Sequence, residues 1–357
     1  MCPARIYGHK TLSNNLDSWR FVLIALVVVN HALLLTAEPA ADYGHLDRAL
    51  IVLTRAAVPA LSLFSGYLFV GSTRSSLLGV ARQKARTLIL PFLAWNTGAV
   101  VVLVLLNETF KIVPEALVAT QSRYDLVNDV TAFHGAPANA PLYFLRDLFI
   151  TFMAFSLLRP VLRHPVGLAL AMLAVVVNYG LDLDERIIIR NTIPVFFLMG
   201  FGLRTFPQLM VLCGRAVLPM AILSAALLPI WAFGNTHLGD PTVLDLATLT
   251  AFSILVIGLV IRLPNWPSLS ALGKRYSFVI FLTHWWVLLG LAAVWDHFGW
   301  SDSYYRAFAS LVAVGVGVLT ANLISRLPGP IASALSGGRL KQPSHRFPTG
   351  GARPTHG

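Results

Sequence analysis

Arg20 and His31 are separated by ten residues in the first long apolar segment of the chain, which runs from Asp17-Ser-Trp-Arg20 to Asn30-His31. An α-helix turns about 100° per residue, so eleven positions bring a side chain back to within roughly 20° of the same face, about 16 Å further along the axis. A guanidinium is a permanent, multidentate donor suited to phosphate. A neutral imidazole can take a proton from a hydroxyl. The pair also fits a plainer reading, with Arg20 as a snorkelling anchor and His31 as a hydrogen-bonded packing residue. Spacing alone leaves both open, although an ionisable group at membrane depth is costly and is a functional candidate by default.

Chemistry-bearing residues recur further along. The second apolar segment carries Arg55 and then Phe64-Ser65-Gly66-Tyr67. Arg55 needs a partner or a wet cavity at that depth. Ser65-Gly66 reads first as a site of close helix packing and second as a substrate contact. Arg82, Lys84 and Arg86 lead into Leu90-Pro91-Phe92. They suit the phosphates of a nucleotide donor, and equally suit an ordinary basic cytoplasmic loop. Arg146 and Asp147 are adjacent, so on a helix they diverge by about 100° and are not expected to pair with each other. Arg146 then suits an acyl oxyanion, an acidic sugar or an internal carboxylate. His284, in Tyr276-Ser-Phe-Val-Ile-Phe-Leu-Thr-His284, is a second imidazole in an apolar run, with packing the favoured role over substrate contact. No metal-ligand spacing, phosphate-binding loop or dinucleotide fingerprint is present.

These residues must be positioned by helices. The chain has 357 residues, of which 56% are hydrophobic and 12% charged. A soluble domain carries about 25% charged residues. Apolar runs long enough to span a bilayer fall at about 20–37, 49–71, 88–106, 141–158, 166–180, 192–206, 217–233, 243–261, 276–294 and 305–325. An all-α polytopic bundle of ten spans follows. With the N-terminus inside, 19 of the 27 Lys and Arg residues fall on the inner side and six on the outer, and 14 of the 16 acids fall outside. The positive-inside rule then puts both termini in the cytoplasm. The net charge of +11 is spread between apolar spans rather than gathered in one patch, which argues against nucleic acid.

Residues 1–19 read as a cytoplasmic segment without the apolar region of a cleavable signal peptide, and 20–326 as the membrane domain. The stretch 107–140 reads as an outer loop able to form a lid or substrate surface. Residues 327–357 read as a basic, disordered tail near anionic lipid. Cys2 and Cys213 form no disulfide framework.

The motifs together resemble the integral-membrane acyltransferase 3 family, which includes bacterial sugar O-acetyltransferases and exopolysaccharide-modifying enzymes. The resemblance rests on Arg20-x10-His31, Phe64-Ser-Gly-Tyr67, the basic loop into Leu90-Pro91-Phe92, Leu142-Tyr-Phe-Leu-Arg146-Asp147, Phe196 to Arg204, and Tyr276 to His284. It covers about residues 14–325. Arg20-x10-His31 is the most specific element; Leu61-Ser-Leu63 departs from the more aromatic run expected before Phe64. The resemblance implies an acyl-CoA co-substrate and no bound cofactor. It implies a hydroxyl acceptor on a saccharide or lipid-linked oligosaccharide, with His31 as base and Arg20 supporting the donor. It also implies a bacterial inner-membrane setting and polysaccharide-assembly enzymes as partners. The hydrolase-like domain fused in some members is missing after the tenth span, so direct or partner-assisted delivery is expected. The competing readings are a transporter or flippase for a saccharide or anion, and a non-catalytic assembly protein. The first lacks Gly/Pro-broken helices paired in two matching halves.

Overall fold

The computed structural model describes residues 9–35, 44–71, 76–110, 123–183, 187–234, 241–300 and 302–340. In chain order the α-helices are α1 (His9–Leu35), α2 (His45–Arg55), α3 (Ala57–Val70), α4 (Leu77–Lys84), α5 (Leu90–Phe110), α6 (Arg123–Thr131), α7 (Tyr143–Leu157) and α8 (Arg159–Leu162). They continue with α9 (Pro165–Leu181), α10 (Thr192–Thr205), α11 (Pro207–Arg215), α12 (Val217–Phe233), α13 (Val243–Arg262), α14 (Pro267–Phe298), α15 (Asp302–Ile324) and α16 (Gly329–Ser336). A π-helical turn, Ala85–Ile89, joins α4 to α5, and a 3₁₀ turn, Ala140–Leu142, precedes α7. The described residues contain no strand.

Every apolar run expected to span is helical, but the runs differ in kind. Seven helical segments are long and apolar enough to cross a membrane, while α9 and α12 are shorter. Helix α10 turns by 107° into α11, so the pair is an eighth span or a re-entrant element. The break has a local cause: Pro207 cannot continue a helix, and Phe206 before it adopts φ −118° and ψ 86°. Helix α10 can be short because protein surrounds it. Phe196, Phe197, Leu198 and Phe201 are fully enclosed.

Helix α10 packs most closely on α3, and α14 packs most closely on α1 and α15. At the first crossing Gly66 lies against the carbonyl of Phe197 and Gly200 against the carbonyl of Leu63, and a Cβ on either would overlap backbone. The close-packing reading of Ser65-Gly66 thus describes the position of Gly66. Phe69, Phe152, Phe155 and Phe197 fill the space beside the crossing with edge-on and offset rings.

Polar pins set the register of the apolar helices, where no water competes for them. Asn15 donates to the Val260 and Leu263 carbonyls, both at 3.0 Å, tying α1 to the end of α13. Asn30 donates to Thr54 Oγ1 at 2.9 Å, tying α1 to α2. Arg306 pairs with Asp47 at 2.7 Å, tying α15 to α2. Asn139 is fully buried; its N–H donates to Asn96 and its amide to the Leu282 carbonyl, each at 3.0 Å.

One sequence expectation is corrected. Residues 327–340, assigned to a disordered tail, fold back as α16, with Ala332 and Ser336 buried and Trp95 Nε1 donating to the Leu335 carbonyl at 3.0 Å. Polar composition suggested disorder, but two bulky partners, Trp95 and Tyr276, cover the apolar side of this short helix. Residues 341–357, and 111–122 of the expected outer loop, lie outside the described residues; 123–131 of that loop form α6.

The Gly66 crossing yields a prediction. Gly66→Val should lower stability by about 3 kcal/mol, because backbone rather than a flexible side chain must yield. Thermal unfolding in detergent checks this, and a variant as stable as the parent would refute the crossing.

Candidate active site

Helix α1 borders two polar cavities. One, of about 480 Å³, is lined by His31, Asn30, Arg55, Tyr143, Arg190, Asp245 and Trp285, among others. The other, an open cleft of about 420 Å³, is lined by Arg20, Ser65, Gln83, Lys84, Thr87 and Arg339 among mainly apolar neighbours. The two residues that open the sequence argument therefore address different cavities from one helix.

His31 and His284 are joined directly. His31 Nδ1 lies 2.9 Å from His284 Nε2. His284 is fully buried, and its Nδ1 faces the carbonyls of Phe281 at 2.8 Å and Ile280 at 3.2 Å. Carbonyls only accept, so His284 Nδ1 carries the proton and Nε2 presents a lone pair. His31 Nδ1 must then donate to it. For two neutral rings this leaves the lone pair of His31 on Nε2, the nitrogen not engaged by His284. The tautomer follows from the partners rather than from an observed hydrogen. Trp285 meets the His31 ring edge-on with centroids 5.5 Å apart. His284 does not line the cavity and meets it only through His31.

The other candidates separate by what already engages them. Arg55 lines the same cavity but is held at both nitrogens by Asp245, at 3.1 and 3.4 Å. Tyr179 donates to the same carboxylate at 2.7 Å, and the Asp245 N–H caps on Thr242. Arg146 does pair with Asp147, at 2.8 Å, against expectation. A divergence of about 100° at Cα is overcome by the length of the arginine side chain. Asp147 is fully buried and also accepts from the Ile189 and Arg190 N–H groups, so it clamps the strandless segment before α10. Arg146 lines neither cavity. Arg190, which sequence reasoning counted only as an outer-loop charge, lies in the His31 cavity with its guanidinium 5.7 Å from the Tyr143 ring centre.

In the second cleft Arg20 pairs with Asp17 at 2.6 Å. Lys84 reaches over the Phe152 ring, 3.6 Å from its centre. The π-helical turn begins at the next residue and sets Thr87 into the same cleft. π-Bulges of this kind are frequent at functional sites. Arg82 and Arg86 are exposed and line neither cavity; of the three basic-loop candidates Lys84 lines the cleft. Ser65 lies on this cleft, away from His31, and its hydroxyl donates back to the Leu61 carbonyl. Arg339 was missed because composition assigned it to a tail. Tyr67 and Arg204, from two of the motif segments, meet at 3.0 Å. Among the described residues no three His, Cys, Asp or Glu side chains gather to hold a metal.

A family described as an acyltransferase domain matches residues 13–325. The succinoglycan biosynthesis protein ExoH of Rhizobium meliloti (strain 1021) is 30% identical over 323 residues, covering 84% of each chain. No solved structure matches.

The Arg55–Asp245 pair makes a second prediction. Asp245→Asn should cost about 3 kcal/mol, since it leaves a largely enclosed guanidinium with a neutral partner. Adding Arg55→Gln should recover part of that loss. Unfolding midpoints of the two single variants and the double variant close the cycle; strict additivity would show that the pair is uncoupled.

Proposed function

Because the chain belongs to this acyltransferase family and carries several helices able to span a membrane, we propose that it transfers an acyl group from cytoplasmic acyl-CoA to a saccharide hydroxyl. The acceptor is a cell-surface polysaccharide or its lipid-linked precursor. A relative whose name places it in succinoglycan biosynthesis supports that class of acceptor. The acyl group is acetyl, with succinyl as the alternative. The setting is the bacterial inner membrane, with both termini in the cytoplasm and ten crossings.

Two groupings support this orientation. Arg20, Lys84 and Arg339, which the charge count assigns inside, share one cleft. Arg190, Asp182 and Asp245, which it assigns outside, share the other. A donor entering from the inside meets cations first, and its thioester reaches toward His31 along α1.

The single observation that carries the mechanism is the contact of His31 Nδ1 with His284 Nε2, from which the lone pair of His31 is inferred to lie on Nε2. His31 Nε2 takes the proton from the acceptor hydroxyl as its oxygen attacks the thioester carbonyl. The tetrahedral centre collapses, the C–S bond breaks, and the thiolate leaves with the proton returned from His31. Arg190 offers positive charge on the cavity wall where the oxyanion forms. A covalent acyl group on His31 is the alternative route to the same products. The transporter reading finds weaker support, since the described residues hold one sharply bent helix pair rather than two in matching halves.

The test is transfer from labelled acetyl-CoA or succinyl-CoA to the host polysaccharide at matched membrane expression. His31→Ala should lose at least about a hundredfold in rate, the lower range for a general base. Full retention would remove His31 from the chemistry. His284→Phe should lower kcat with little change in donor KM, and His284→Gln, whose amide oxygen can accept from His31, should recover part of it. If His284→Gln is no better than His284→Phe, the tautomer argument fails.

A further inference from the structure

The return segment after α15 contributes to the cleft on Arg20. Its path is defined at each step. Leu335 is tied to Trp95, Ser336 is buried, and the N–H groups of Gly337 and Gly338 both close onto the Ser333 carbonyl. Gly337 has φ +62° and lies so close to Thr87 that a Cβ would stand 2.7 Å from its carbonyl oxygen. Only glycine meets both conditions without strain. The chain leaves this turn as Arg339, whose guanidinium carbon is 3.4 Å from the centre of the Phe278 ring. Arg339 thereby joins Arg20 and Lys84 in one cleft.

Three cations share that cleft, and among the described residues no carboxylate lines it. Asp17 pairs with Arg20 at 2.6 Å and lies 3.7 Å from Lys274, so it offsets part of the Arg20 charge, while among the described residues no carboxylate pairs with Lys84 or Arg339. Like charges gathered in a partly enclosed site call for an anion. Gln83 and the Thr87 hydroxyl add polar groups at the same wall. A guanidinium held over an aromatic ring by its carbon can still offer its N–H groups to two oxygens of one phosphate.

We propose that Arg339 is a donor-binding residue, and that the return segment 327–340 completes an anion site for a phosphate of the donor's nucleotide. This rests on the acyl-CoA reading above. It assigns the region after the last long helix a place in the donor site.

The test uses the full-length chain in nanodiscs with coenzyme A as the probe. Arg339→Gln should weaken CoA binding about tenfold or more, as expected for one charge-assisted phosphate contact. It should raise donor KM while leaving kcat within about twofold. Arg339→Lys, which keeps the charge and loses the fork, should fall between, and it guards against misfolding in the Gln variant. Unchanged CoA affinity in both variants would overturn the role of Arg339. So would a fall in kcat with unchanged affinity, the mark of a structural residue. A wild-type protein that does not bind CoA would instead overturn the donor reading itself.

Discussion

The hydrogen bond between His31 and His284 is the constraint on which the rest of the site depends. Inside an apolar bundle a ring nitrogen has no water to fall back on, and a buried donor left without a partner costs about 1–3 kcal/mol. The carbonyls of Ile280 and Phe281 fix one end of the chain of two imidazoles. Helices α1 and α14 must therefore hold their register to within a fraction of an ångström. Several features serve that register. Gly273 lets α14 lie directly on the backbone of Asp17, and Asn139 holds the segment before α7 to the Leu282 carbonyl, two residues from His284. The extensive α1–α14 packing is thus a precondition for the His31–His284 contact and more than bulk apolar burial.

The cations divide by the same logic. Arg55, Arg146 and Arg306 each have a carboxylate within 3.1 Å, and all three pairs sit where helices or loops must be pinned. Arg20 is shared between Asp17 and a cleft. Lys84 and Arg339 are held against aromatic faces, which orient a cation without neutralising it. The first group builds the scaffold, and the second leaves positive charge where a ligand can use it.

How much of this was legible in the sequence follows from which forces act locally. The apolar segments were readable as helices because most are long, bounded by charge or proline, and helical by their own backbone demands; seven are long enough to cross a membrane, and α9 and α12 are shorter. The Arg20–His31 register was readable because both residues lie on one uninterrupted helix. The Arg146–Asp147 pairing was misjudged because helical geometry fixes Cβ directions but not the reach of a long side chain. His284 as the partner of His31 lies 253 positions away, and no local pattern encodes such a contact. Arg190 and Arg339 were invisible for the same reason: their roles come from where loops return. The glycines at 337 and 338, set after a short apolar run, were the available signal that the tail turns back.

One rigid helix holding both cavities makes α1 a ruler. The gap between the cation cleft and the His31 ring is fixed by backbone geometry at about 16 Å of axial rise. On the proposed acyl-CoA reading, such a ruler measures the arm of the donor, not the group the arm carries. A nucleotide without the arm falls short of the imidazole, while donors that share an arm all present their reactive carbon at the same depth. Discrimination among acyl groups is then left to the space beyond His31, so that cavity can change its tolerance for size or charge without disturbing how the carrier is gripped.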